Sequence, residues 1–285
     1  MSTAVVSDTT AYLPEELLRT HAIHRVSLYV TLDGRQQREI DITDYGEFYA
    51  RLAASGETIT TSQPSIGDFL EVYEPLLAEG REIVSVHIAA GISGTYEAAT
   101  QAKQRLLDEN RGGERLHLLD ARSAAGGLGL VLLSAAIAAS NGADARETVA
   151  EAERSREKLN IWFALDTLEY LRRGGRIGAA GALIGTTLKI KPILTFTEQV
   201  TPVERVRTSS RAYARLLEYA RERKAAGMDS WVVQHIQSEE IAGRLVDDCR
   251  EVFGSEPSFV SEVGPVLGAH AGPGMLGFGS SCLPS

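Results

Sequence analysis

Short apolar runs alternate with amphipathic stretches through the first half of the chain. The runs have the length of buried strands, and the stretches between them repeat apolar residues at helical spacing. We predict strands over 3–7, 24–30, 84–89 and 115–120, and helices over 14–21, 45–55, 65–80, 95–110, 126–140 and 144–159. Strands that alternate with helices in this way predict a largely parallel sheet covered by helices.

The alternation changes after Leu159. The stretch DTLE (166–169) predicts a capping box and a helix that ends at Gly174 and Gly175. Further elements are expected as strands over 160–165, 191–196, 203–208 and 230–236, helices over 178–188, 209–227 and 239–253, and a short final strand. The strands at 191–196 and 203–208 look paired across the turn EQVTP. We therefore expect an α/β fold of two closely packed domains, residues 1–159 and 160–285.

Composition narrows the functional classes. With 44% hydrophobic residues the chain can bury a large core, and its formal net charge of −9 argues against nucleic-acid binding. The first 14 residues contain no basic region, so no signal peptide is expected. The apolar run 177–196 is interrupted by Lys189, Lys191 and Pro192, which argues against membrane insertion. We expect a cytoplasmic protein.

Three junctions combine hydroxyl side chains with the start of a helix: SDTTAYLP (7–14), TTSQPSIGDF (60–69) and AAGISGTY (89–96). We expect them at the carboxyl ends of strands of the first domain, where sites form in α/β proteins. Hydroxyls and free backbone N–H groups both donate to an anion, so a carboxylate or a phosphate fits this chemistry. Helix capping alone would also explain each loop.

Ser93 lies in the middle of the third junction and raises the question of a nucleophile. The hydrolase elbow is G-x-S-x-G, but here Gly91 and Ser93 are followed by Gly94 and Thr95, so the final glycine is missing. Candidate partners for a triad are Asp166, His235 and His270, which many chains of this length would also supply. An esterase or acyl-transfer enzyme that uses Ser93 remains the alternative function.

Cofactor and metal motifs are weak or absent. The stretch GPGMLG (272–277) matches G-x-G-x-x-G but leaves no room for a following βαβ unit. There is no Walker A loop and no HExxH, and Cys249 and Cys282 are too far apart to suggest a zinc site. We expect no cofactor and no bound metal. The stretch RRGGR (172–176) is either a solvated helix end or a basic docking surface.

Six strings, taken in their order and spacing, resemble the DegV family. They cover nearly the whole chain and are SDTTAYLP, TSQPSIGDF, GISGTYEAA, DARSAAGGLG, LDTLEYLRRGGRIGAAGALIGTTLKIKPIL and HAGPGMLGFG. Where the family has Asp-Ser, this chain has Asp120 and Ala121, so no ligand role is assigned there.

The resemblance implies a two-domain α/β protein with a lipid between the domains. It implies binding of a long-chain fatty acid, whose carboxylate is presented to a partner fatty acid kinase, and carriage of the acyl phosphate product, as in phospholipid metabolism. Catalysis would then lie in the partner. The implied ligand-binding residues are Thr61, Ser62, Ser93, Gly94, His270 and Arg207, and the implied partner-facing residues are Arg173 and Arg176. The segments 126–139 and 177–190 are candidate tunnel walls. A phosphate-handling protein is a third possibility, although no lysine stands near the three loops.

Overall fold

The structure is a computed structural model that describes residues 2–54, 59–183, 190–196 and 199–284. Its strands are β1 (Thr3–Asp8), β2 (His24–Val26), β3 (Tyr29–Leu32), β4 (Arg35–Arg38), β5 (Thr60–Ser62), β6 (Glu82–His87), β7 (Leu116–Asp120), β8 (Asn160–Ala164), β9 (Lys191–Phe196), β10 (Val200–Val206), β11 (Ser230–His235), β12 (Phe259–Glu262) and β13 (Leu276–Ser281). Its α-helices are α1 (Glu15–Thr20), α2 (Tyr45–Ala54), α3 (Ile66–Ala78), α4 (Thr95–Asp108), α5 (Gly126–Ser140), α6 (Ala145–Lys158), α7 (Glu169–Arg173), α8 (Ser209–Ala225), α9 (Glu239–Phe253) and α10 (Pro265–Ala271).

The first sheet is parallel, in the strand order β2-β1-β6-β7, and this confirms the expected sheet type. The single strand predicted over 24–30 is wrong, because two strands of different sheets occupy it. The chain leaves the parallel sheet at Ser27 and Leu28, where the Leu28 N–H donates to Thr9 Oγ1 at 3.3 Å. Beyond that point β3 pairs antiparallel with β4 and β5 in a small separate sheet.

A six-stranded sheet in the order β10-β9-β8-β13-β11-β12 is built from residues after Leu159. The predicted pairing of the strands at 191–196 and 203–208 is confirmed, with β9 and β10 antiparallel, but β10 begins three residues earlier than predicted, at Val200. Strand β13 lies in the middle, antiparallel to both β8 and β11, so the last strand of the chain joins the two parts of the sheet. The division of the chain into domains at residue 160 stays a prediction.

Helices α5 and α6 form a layer between the two large sheets. Helix α5 contacts β1 and β6 on one side and β11 and β13 on the other. Its sequence GGLGLVLLSAAIAAS is apolar almost all round because the helix has a sheet on both sides. Helices α3 and α4 pack against the strands of the parallel sheet, and α8 and α9 against those of the six-stranded sheet.

Two local predictions in the second half need comment. The capping box at DTLE is wrong, because Leu168 is the N-cap of α7 and the Thr167 hydroxyl accepts the Glu169 N–H at 3.1 Å. The helix predicted over 178–188 is a short 3-10 helix over Gly178–Leu183, and its remaining residues lie outside the described ranges. No helix in the described part of the chain is long and apolar enough to cross a membrane.

Candidate functional site

A largely apolar cavity lies between the strands of the two halves of the chain. Its empty space, including the open mouth, is about 1030 Å³. Its apolar lining includes Leu28, Ile88, Ile92, Phe163, Leu171, Phe196, Val232, Val263, Val266 and Met275.

The polar end of the cavity brings together residues from three distant segments. Thr61 and Ser62 come from β5, Ser93 from the loop before α4, and His270 from the last turn of α10. Thr61 Oγ1 lies 2.8 Å from Nε2 of His270, and Ser93 Oγ lies 2.8 Å from Thr95 Oγ1. Ser62 Oγ accepts a hydrogen bond from Gln36 at 3.1 Å. Four of the sequence-predicted residues therefore line one cavity.

His270 is largely buried and therefore uncharged at neutral pH. Burial lowers its pKa to about 4, and the Arg176 guanidinium adds to the effect. Within the described residues Nδ1 has no hydrogen-bond partner. A Cβ atom on Gly174 would lie 2.0 Å from this Nδ1, so the first glycine of RRGGR makes room for the imidazole. The second, Gly175, has a φ of +69°, which suits a residue without a side chain at the end of a helix.

Gly94 and Arg176 lie at the mouth of the cavity. Gly94 is the N-cap of α4, and a Cβ atom there would lie 2.6 Å from the amide nitrogen of Gln63, which lies over it. Arg176 lines the cavity, and its Nε donates to the Ile92 carbonyl at 3.3 Å. Ser93, Gly94 and Arg176 also line a small depression next to this mouth. The polar end of the cavity is thus reachable from the surface.

Arg207 and Arg173 lie elsewhere. Arg207 is exposed, directly after β10, and is absent from the described residues that line the cavity. Val200, which does line it, begins the same strand, and the six steps from Val200 to Val206 along the seven-residue strand span about 20 Å at roughly 3.3 Å per residue. The geometry therefore gives Arg207 no contact with the head-group end. Arg173 is exposed on α7 and donates to Glu169 at 2.7 Å.

Glycines form part of the inner wall. Gly277 on β13 and Gly126 and Gly127 at the start of α5 line the cavity. A Cβ atom on Gly277 would meet protein atoms at no less than 3.4 Å, so its absence leaves space in the cavity. Of the two predicted walls, 126–139 contributes through its first turn. In the predicted wall 177–190, the described residues 177–183 and 190 contribute nothing to the lining, and 184–189 lie outside the described ranges. The alternation Gly-Phe-Gly over 277–279 is the signal in the sequence for this wall.

The first hydroxyl-rich junction does not join the cavity. Asp8 and Thr9 line a different pocket, together with Glu39 and Tyr12. The second junction follows β5 of the small antiparallel sheet, so it does not lie at the carboxyl end of a parallel strand. The expectation that all three loops meet at one edge of the first sheet is therefore wrong.

The contacts of Ser93 do not favour a nucleophile. In the described part of the chain its hydroxyl bonds to Thr95, while Nε2 of His270 is bonded to Thr61. A serine, a histidine and an aspartate do form a chain elsewhere: Ser85, His87 and Asp8, joined at 2.7 and 3.1 Å. All three side chains are fully buried, so no substrate reaches them. Among the described residues no cluster of three metal-ligating side chains is found.

Comparison with known proteins gives a consistent result. The model of the DegV family matches residues 2–281. A DegV domain-containing protein of Streptomyces coelicolor is 39% identical over 278 residues, with 96% of each chain covered. Protein DegV of Bacillus subtilis is 34% identical over 280 residues, covering 97% of this chain and 98% of its own.

Solved structures share the fold. A DegV family protein of Thermus thermophilus, described for its fatty acid binding, has a TM-score of 0.88 at 32% identity and covers 99% of this chain and 100% of its own. DegV of Bacillus subtilis, described as a fatty acid binding protein, has a TM-score of 0.87 at 32% identity, with 99% of each chain covered.

Proposed function

The chain belongs to the DegV family, and we propose that it binds a long-chain fatty acid in the apolar cavity between its two halves. The observation that carries the proposal is the lining of the site: the walls are mostly apolar, and hydroxyl groups and a neutral imidazole lie together among them. Similar proteins from two bacteria are described as binding fatty acids. The residues assigned to the ligand are Thr61, Ser62, Ser93, Gly94 and His270.

Neutral donors would hold the carboxylate. When Nε2 of His270 carries the ring proton, it donates to Thr61 Oγ1, and the Thr61 hydroxyl proton is then free to donate to a ligand. Ser93 offers a second hydroxyl next to the N-terminus of α4, where the first N–H groups of a helix lack intrahelical partners. Arg176 adds positive charge at the mouth.

The acyl chain supplies most of the binding energy. Each buried methylene contributes about 0.8 kcal/mol, so about 14 of them contribute on the order of 10 kcal/mol before the cost of association. A strong salt bridge to the head group is therefore unnecessary. A carboxylate held by neutral donors keeps an oxygen free for a further reaction.

The finer role is that of a carrier in the cytoplasm. A partner fatty acid kinase would phosphorylate the presented carboxylate, and this chain would carry the acyl phosphate onward. Two observations support this role: the polar end of the cavity opens to the surface, and the exposed Arg173 and Arg176 lie on the segment that borders the mouth. Glu169 is paired with Arg173, which leaves Arg176 as the stronger candidate for a contact with the partner.

Lipid analysis of the purified protein tests the binding proposal. We expect extracts to contain one equivalent of long-chain fatty acid, and lipid-stripped protein to take up hexadecanoic acid. Thr61→Val removes the hydroxyl with little change of shape and should weaken uptake about fivefold, the effect of one lost hydrogen bond. Thr100→Val, at an exposed position on α4, is the matched control. Protein that is free of lipid and takes up none would refute the proposal.

A kinase assay separates the carrier role from binding alone. Lipid-loaded protein, a bacterial fatty acid kinase and ATP should yield acyl phosphate. Because Arg176 also lines the cavity, Arg176→Ala should slow this phosphorylation by more than it weakens fatty acid uptake. Binding without any phosphorylation would leave a fatty-acid-binding protein of another role. Hydrolysis of an ester probe that is abolished by Ser93→Ala would instead favour the enzyme alternative.

A further inference from the structure

Glu39 is a buried carboxyl group that does not itself line the cavity. It begins a 3-10 helix after β4 and is only 2% exposed. Its Oε1 accepts hydrogen bonds from the Tyr12 hydroxyl and the Val266 backbone N–H, both at 2.8 Å. Its Oε2 lies 2.5 Å from the hydroxyl of Thr9. One side chain thus joins the segment after β1 to the first turn of α10.

Helix α10 depends on such outside contacts. Its N-cap is Gly264, which has no side chain to accept a hydrogen bond. Glu39 accepts the Val266 N–H instead, and the Tyr12 hydroxyl accepts the Leu267 N–H at 3.2 Å. At its other end α10 carries His270, which contacts Thr61. The helix is therefore held at both ends by residues from the first 61 positions of the chain.

We propose that Glu39 is a positioning residue for the ligand: through Val266 it holds α10 where His270 meets Thr61 at the head-group end. This inference rests on the proposed fatty-acid binding. Val266 and Leu267, whose N–H groups receive these contacts, themselves line the cavity. A shift of α10 would move the cavity wall and the imidazole together.

The Glu39 carboxyl group accepts two hydrogen bonds at Oε1, and the Thr9 hydroxyl donates to Oε2. When the carboxyl group is protonated, the Thr9 hydroxyl can turn so that Oε2 donates to it instead. Burial raises the pKa of Glu39 to about 7, while its three hydrogen bonds lower it and the nearby Asp8 raises it further. The other titratable and charged groups around it, on the elements packed against it, are Tyr12, Tyr45, Tyr49, Glu15, Arg25 and Glu262.

The sign of the pH effect follows from this burial. A carboxyl group whose pKa is raised in the closed structure favours that structure below its pKa and opposes it above, because the ionised form prefers water. Positioning of α10 should therefore loosen as the pH rises through about 7. If binding needs the neutral group, affinity falls about tenfold by pH 8.

The test measures affinity for hexadecan-1-ol between pH 6 and pH 8.5, since this probe fills the cavity but does not titrate. We expect wild-type affinity to fall about tenfold across pH 7. Glu39→Gln should keep the affinity found at pH 6 and lose the pH dependence, because its amide reproduces the neutral pattern of hydrogen bonds. Glu39→Ala should bind about tenfold more weakly at pH 6, since Val266 loses its acceptor. Glu262→Gln, a matched loss of one carboxylate in the same pocket, should keep the wild-type pH profile.

A flat wild-type profile, or the same slope in Glu39→Gln, would overturn the proposal. Hydrogen exchange of the Val266 and Leu267 amides in lipid-free protein gives a readout that needs no ligand. Their protection should decrease above pH 7 in the wild type and stay constant in Glu39→Gln. Absence of binding at every pH would refute the proposed function, whereas intact binding with unchanged protection would refute the role of Glu39.

Discussion

A titratable side chain lies at each end of α10, and the two differ in whether they face the cavity. At its start, the Glu39 carboxyl is enclosed by hydroxyl groups and a backbone N–H, away from any ligand. At its end, the His270 imidazole faces the cavity and contacts one hydroxyl. Burial is the largest cause of the pKa change in both, and in both it favours the neutral form. The comparison separates a group that holds the helix from a group that meets the ligand.

The largest expected effect comes from a substitution that pushes α10 away from the side chain of Tyr49. A Cβ atom on Gly268 would lie 2.0 Å from the hydroxyl oxygen of Tyr49, which donates to the Val263 carbonyl at 2.5 Å. Gly268→Ala should lower the free energy of unfolding by about 2 kcal/mol, measured by urea denaturation. Gly243→Ala in α9, where nothing lies within 4 Å, is the matched control and should raise it slightly. Equal stability of the two variants would show that α10 is not tightly held.

The pH dependence of stability should distinguish the two ends. The pKa of His270 is lowered to about 4, so its contribution is present above about 6.5 and is lost as the pH falls through 4. The pKa of Glu39 is raised to about 7, so its contribution is present below about 4.5 and is lost as the pH rises through 7.

Between about pH 4.5 and pH 6.5 the two contributions change with opposite sign. In unfolding curves, His270→Leu should therefore lose stability relative to the wild type as the pH rises through this range, and Glu39→Gln should gain it. The account is wrong if the two variants shift the slope in the same direction.

A smaller effect is expected at the ligand end alone. Gly174→Ala places a methyl group against Nδ1 of His270 and should turn the imidazole away from Thr61. Affinity for hexadecanoic acid should fall about fivefold, as for one lost hydrogen bond, while stability changes little. Gly181→Ala is the control, because its Cβ would lie 3.8 Å from the nearest atom, Cγ2 of Ile177, which is an ordinary contact. Both affinities are measured by calorimetric titration. A loss of stability without a loss of affinity would contradict the role given to His270.

The smallest effect is expected at Arg207, which touches neither end of α10. Because it is exposed and absent from the described cavity lining, Arg207→Ala should leave fatty-acid affinity unchanged within about twofold. The same titration measures it. A tenfold loss would restore the head-group role that the sequence resemblance implies and would mean that the ligand reaches far along β10.

Sequence patterns predicted the structure correctly where it depends on residues close together in the chain. Periodicity located most strands and helices, and the strings around Thr61, Ser93 and His270 pointed to residues that share one cavity. Glu39 shows the limit of such reasoning. It stands in the polar run RQQREID, which has the pattern of an exposed segment, and it is buried by contacts with Val266, 227 positions away. The separate sheet formed by β3, β4 and β5 was missed for a similar reason, since its strands are short and only their pairing defines them.

A crystal structure of the protein loaded with hexadecanoic acid tests the central claim most directly. We predict continuous density for the acyl chain along Gly277, with the carboxylate within hydrogen-bond distance of Thr61 and Ser93 and close to His270. Density for the acid at another place, or a reversed ligand with its carboxylate away from these residues, would contradict the account.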